Sequence, residues 1–148
     1  MKIYNLSYNN KNWLEAVYQI TGRPYGFFRS IKIGGTGSPP LNFIAGPADV
    51  EKIINQTYDK NYCNIELLRK GIIFRFKSRL DNYGLPVGLT DIIRIRLLTV
   101  SGNNRTAGEM ILEIMITDNH LLKFLVKPHE LPGIFKSFSK TAFKGKFS

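Results

Sequence analysis

The sequence predicts an α+β fold: an antiparallel sheet, closed into a barrel or strongly bent, capped by a C-terminal amphipathic helix and preceded by a helix-containing N-terminal segment. Three observations carry that expectation. Residues 61–148 are dominated by segments in which apolar and charged residues alternate with period two, as half-buried strands require. Past Lys127 the period changes to that of a helix. Residues 1–60 differ in texture, with glycine and proline separating two helical patterns.

Taken in order, Lys2 to Leu6 is a short strand. Asn12 is placed to cap a helix beginning at Trp13, with Leu14, Val17 and Tyr18 as its apolar face and Gly22 as its end. Phe27 to Ile33 reads as a strand, and GGTGSPP after it as loop on glycine and proline content alone. In GPADVEKIINQTYD, Pro47 suits a first turn and Asp49 and Glu51 suit the positive end of the helix dipole. Val50, Ile53, Ile54 and Tyr58 form the buried stripe.

From there strands follow one another. Asn64 to Lys70 is the first. In Ile72 to Leu80, Ile72, Phe74, Phe76 and Leu80 share one parity and Arg75, Lys77 and Arg79 the other. Leu85 to Leu89 is a short strand. Ile92 to Val100 repeats the design, with Ile93, Ile95 and Leu97 inward and Arg94 and Arg96 outward. Met110 to Thr117 and Leu121 to Lys127 complete the set, divided by Asp118 and Asn119. A helix from about Glu130 to Phe143 then sets Leu131, Phe135, Phe138 and Ala142 on one face and Lys136, Lys140 and Lys144 on another. It needs an apolar surface to cover, which the open end of a bent sheet supplies.

At 148 residues the chain suits a single domain, residues 1–60 packing on the sheet formed by residues 61–148. Its net charge is +10, of which residues 61–148 hold +7 (fourteen Lys and Arg against seven acids). Such a balance favours anionic partners. Cys63 is alone and makes no internal disulfide, and the start turns polar within a few residues, so the expectation is a cytoplasmic protein. No stretch approaches the length of a membrane-spanning helix, so any membrane is met peripherally.

The strands from about Asn64 to Lys127 and the helix after them resemble the pleckstrin-homology-like (PH-like) superfold of PH, GRAM and related bacterial domains. GIIFRFKSRLDNYGLPVGLTDI is similar to bacterial relatives, in which a basic and apolar strand leads through a tyrosine into the next. The resemblance spans residues 64–143 and implies a binding module. Members that bind phosphoinositides carry a lysine on one strand and a basic-x-Arg-x-Tyr cluster on the next; Lys70, Lys77 and Arg79 stand where those cations would. The tyrosine departs from the motif, with Asp81 two places after Arg79 and Tyr83 four places after it. The superfold hosts lipid, peptide and protein ligands alike.

No catalytic, metal or cofactor motif is present, so a non-enzymatic protein without cofactor is expected. His120 and His129 lack ligand spacing. Nothing beside Cys63 would lower its pKa. GGTGSPP lacks the Gly-Lys-Ser/Thr ending of a phosphate loop, and Glu109, Glu113 and Asp118 form no recognisable catalytic pair. The candidate binding residues are therefore Arg75, Lys77, Arg79, Arg94 and Arg96, with Tyr83 as an accompanying ring. Their expected partner is an anionic phospholipid surface or an acidic protein, the alternatives being nucleic acid and a structural or partner-binding domain with no anionic ligand. Nucleic acid is less favoured because Phe74 and Phe76 have the parity opposite to the cations, whereas stacking needs rings and cations on one exposed face.

Overall fold

A computed structural model of the chain describes residues 2–7, 11–26, 37–38, 40–54, 61–78, 81–100, 108–139 and 141–147. The elements in chain order are β1 (Tyr4–Asn5), α1 (Lys11–Thr21), β2 (Leu41–Ala45), α2 (Ala48–Ile54), β3 (Tyr62–Leu68), β4 (Gly71–Ser78), β5 (Asp81–Gly88), β6 (Ile92–Thr99), β7 (Met110–Ile116), β8 (His120–Val126) and α3 (Leu131–Ser139). A 3₁₀ turn, Ala142–Lys146, follows. The strands form one antiparallel sheet in the order β1-β5-β4-β3-β2-β8-β7-β6. The α+β class with a C-terminal helix is as expected. The sheet is not closed: β1 and β6 stand at its two ends.

Two meanders, β3-β4-β5 and β6-β7-β8, are joined by β2, which pairs with β3 on one side and β8 on the other. Sequence periodicity did not single out this strand. Leu41 and Phe43 face the core while Asn42 and Ile44 are exposed, an alternation too short to register beside a glycine and proline loop. The sheet nevertheless curls. Phe74 on β4 and Phe124 on β8 stack at 5.9 Å between ring centroids. Three strand spacings separate β4 from β8, about 14 Å if flat. Both meanders thus feed one core, which α2 joins through Val50 and Ile54, α3 through Ile134 and Phe138, and the final turn through Phe143.

A second, smaller cluster lies on the opposite face. Ile73 has the outward parity of β4, but α1 lies over it: Val17 is buried with Leu68 and Ile73, and Tyr4, Trp13 and Tyr18 close the edges. Trp13 rather than Leu14 completes the packed face. The helix begins at Lys11, so Asn12 lies within its first turn. It ends where expected, Gly22 taking a φ of +73° and donating its N–H to the Tyr18 carbonyl at 2.8 Å. The β3–β4 turn docks against that end, with the Lys70 N–H donating to the Thr21 carbonyl at 2.7 Å. Gly71 begins β4 beneath the helix, where a Cβ would collide with the Val87 carbonyl oxygen and approach Thr21 Cα to 2.9 Å.

Two side-chain assignments read from periodicity change. On β6 a bulge between Ile92 and Arg94 shifts the register, so Ile92 and Ile95 are buried and Ile93, expected inward, is 49 % exposed. On α3 the buried residues are Ile134 and Phe138, and Phe135 is 58 % exposed. That helix stops at Ser139, whose hydroxyl donates back to the Phe135 carbonyl. Thr141 then starts the 3₁₀ turn, its Oγ1 accepting from the Phe143 N–H at 3.4 Å. Breaking the helix there drops Phe143 into the core, which one continuous helix to residue 143 would not do. The expected strand Phe27 to Ile33, Tyr58, Lys140 and Arg79 fall outside the described residues, as does most of GGTGSPP. Gly37 forms a bridge with Glu66.

Candidate functional site

The cations proposed from the sequence do not share one surface. β4 and β6 are five strand spacings apart in the sheet, about 24 Å along its curve. What happens to each cation is decided by the strands beside it.

On β6, Arg96 faces Glu113 of β7, and Glu113 faces Lys123 of β8. Glu113 is 3 % exposed. Arg96 Nε donates to Glu113 Oε1 at 2.7 Å, while Lys123 Nζ stands 3.9 Å from Oε2. A carboxylate so deeply enclosed requires compensation, and Arg96 supplies it. Arg96 is therefore committed to the fold. Arg94 sits across from Met115, half-buried, with its Nε enclosed and lacking an acceptor among the described residues. Arg96 is thus neutralised by its partner, and Arg94, which makes no ion pair among the described residues, is half-buried rather than fully at the surface.

On β4 the outcome differs. Arg75 and Lys77 are exposed on the outer face, about 7 Å apart along the strand, beyond the end of the α1 cluster. Arg75 directs both Nε and one Nη to Glu66 Oε2 at 2.8 Å, a diagonal cross-strand pair open to solvent. Lys77 has no ion pair among the described residues. Register puts Asn64 opposite Arg75 and Asn82 opposite Lys77, and extending it one residue sets Tyr62 beside Lys77 on the other flank. Tyr62 is 42 % exposed. With Leu6 and Pro40 at the edge, these residues line a concavity of about 400 Å³.

The concavity is rigidly built. Asn64 donates its side-chain amide to the Ser38 carbonyl at 3.2 Å, and the Ser38 hydroxyl accepts the Ile65 N–H at 2.8 Å. Leu6 donates its N–H to the Asn82 carbonyl at 2.7 Å and lies over Gly84, where a Cβ would stand 2.7 Å from Leu6 Cδ1. The glycine opposite Arg75 thus makes room for the N-terminal segment to form one wall. Among the described residues the surface offers one unpaired ammonium, one partly neutralised guanidinium, two amides and a phenol ring. It can hold an anionic group by charge and by hydrogen bonds.

Tyr83 does not join this face. Its ring points inward and stacks on Phe76 with centroids 6.1 Å apart, packed against the core. Tyr62, Asn64 and Asn82 take the places beside the cations instead. The signal for Tyr62 was its parity opposite to Cys63, legible only once β3 is known to begin at residue 62. Cys63 itself is buried, and burial pushes its thiol pKa far above the ordinary range. Among the described residues, no group of three or more His, Cys, Asp or Glu is placed to hold a metal ion. No described helix is long and apolar enough to cross a membrane.

Comparison with known proteins adds no further constraint: no protein-family model matches the chain, no curated protein matches it, and no solved structure matches its fold.

Proposed function

We propose that the protein is a non-enzymatic binding module whose β3-β4-β5 face receives an acidic segment of a protein partner in the concavity around Lys77. The observation that carries this reading is an exposed lysine with no acid partner among the described residues, set beside Arg75, Tyr62, Asn64 and Asn82 in a preformed depression. Two meanders followed by a C-terminal helix support a PH-like assignment for the sheet, a superfold that serves as a binding platform.

Magnitude favours a protein over a lipid surface. Each cation near an anionic membrane contributes about 1 kcal/mol, and among the described residues this face has two, one already facing Glu66. Two such terms are too weak to hold a protein on a bilayer. A protein partner adds apolar and hydrogen-bonded contact to the charge, for which Tyr62, Leu6, Pro40 and the two asparagines are suited. Nucleic acid would need a series of exposed rings, whereas of the two described rings lining this depression Tyr62 is exposed and Phe76 is buried.

Titration with a glutamate-rich peptide, its glutamine counterpart, phosphatidylserine vesicles and an oligonucleotide, each at low and high salt, tests the proposal. The acidic peptide should bind at low salt and weaken as screening increases. Lys77→Glu should reduce its affinity about tenfold while changing stability by less than about 0.5 kcal/mol. Failure of the acidic peptide to bind at low salt, or equal binding by the variant, rejects the site.

A further inference from the structure

A second cavity lies at the other end of the sheet, where α3 crosses the ends of β6 and β7. It is an open groove of about 810 Å³, a volume within the range of about 300–1,000 Å³ typical of sites for small organic molecules. Leu97, Met110, Leu131, Phe135 and Phe147 form most of its walls, and Lys136 is the single ionisable lining residue among those described. Among the described residues no acid lines it and Lys136 makes no ion pair.

The walls are held in place before any ligand arrives. Phe147 pairs with Ile95 in a parallel bridge, which pins the C-terminal segment to the outer edge of β6. Its ring stacks on Phe138 at 5.6 Å and meets Phe135 edge-to-face at 5.4 Å. Phe135 is thereby fixed although 58 % exposed, the most exposed of the large apolar side chains described. A fixed ring loses little freedom on binding, so contact with it is not offset by ordering. Lys144 and Lys146, on the 3₁₀ turn that follows α3, add charge of the same sign as Lys136.

An apolar trough with one cation selects its occupant by complementarity. A neutral hydrocarbon would leave the ammonium unused, and a polyanion would leave the apolar walls wet. We propose that this groove binds a single-chain amphiphile with a carboxylate head, a fatty acid, its chain against Leu97, Met110, Leu131 and the two phenylalanines and its head at Lys136. This site is separate from the Lys77 concavity and does not depend on the reading given to it.

Titrating the full chain with laurate below its micelle concentration, followed by the methyl resonance of Met110, is the direct test. One laurate should bind per chain and shift that resonance. Dodecanol, which keeps the chain and lacks the charge, should bind about fivefold more weakly, and Lys136→Gln should bring laurate down to the level of dodecanol. Phe135→Ser should weaken both ligands, and the unperturbed remainder of the spectrum will show that it is folded. No binding of laurate, binding that leaves the Met110 methyl unmoved, laurate affinity unchanged in both variants, or association with anionic vesicles but not with monomeric laurate would each overturn the assignment.

Discussion

The strands β4 and β6 carry nearly the same pattern, FRFK in one and IRIR in the other, yet their arginines have opposite fates. Arg75 and Lys77 sit at the solvent surface, with Arg75 paired to the open carboxylate of Glu66. Arg96 is bound to a carboxylate from which solvent has been removed, and Arg94 lies half-buried against Met115. An outward position on a strand is therefore not the same as an available one. What separates the two is the neighbouring strand: β7 brings an acid into register with Arg96, whereas β5 sets Gly84 opposite Arg75 and Asn82 opposite Lys77.

The sharpest way to break this comparison is to remove what roofs the β4 half. Gly71→Ala forces a methyl against the Val87 carbonyl and the Thr21 backbone, neither of which can turn aside as a side chain can. It should lower stability by about 3 kcal/mol in urea unfolding, the range of severe overpacking. A near-neutral result would mean that β5 and the end of α1 do not close over Gly71.

On the β6 half, Arg96→Met leaves Glu113 enclosed with a lysine at 3.9 Å as its remaining cation. The expected loss is about 2 kcal/mol, and the double variant Arg96→Met with Glu113→Leu should recover most of it, because an apolar pair needs no compensation. Equal losses in the single and double variants would show that the pair contributes little to the fold. By contrast, Arg75→Met should cost less than about 1 kcal/mol, since its pair with Glu66 is exposed to water.

The smallest effect concerns Cys63, which pairs across from Phe76 and reports on whether the β3-β4 half opens. Burial raises its pKa, so the native chain retains the thiol proton where an unfolded chain would lose it. Stability should consequently fall, not rise, as pH passes above about 8.5, the ordinary thiol value. At pH 8 a disulfide reagent should label Cys63 no faster than the protein unfolds. Rapid labelling of native protein would place the thiol at the surface.

Much of the architecture was legible because burial imposes its period on the chain. Six strands from β3 to β8 and the helices α1 and α2 lie where alternation and capping residues place them, within a few residues. Where reading from periodicity misled, a local irregularity was responsible. The bulge at Ile92 moved Ile93 to the surface, and the 3₁₀ turn that follows α3 brought Phe143 into the core. Both are short irregularities that period counting averages over. Of the candidate site, Arg75 and Lys77 were legible, whereas Tyr62, Asn64 and Asn82 depended on register between strands.

The sequence by itself determined that residues from about 62 onward alternate between a wet and a dry face, that cations crowd the wet one, and that a helix closes the chain. These follow from local geometry, since the pleat and the helical repeat act over a few residues. Tertiary structure alone decided that β2 joins the meanders, that α1 roofs Ile73, that Glu113 takes up Arg96, and that Lys77 is left unpaired among the described residues. Strand order and register are long-range choices, made by the whole core at once, and no short window of residues contains them.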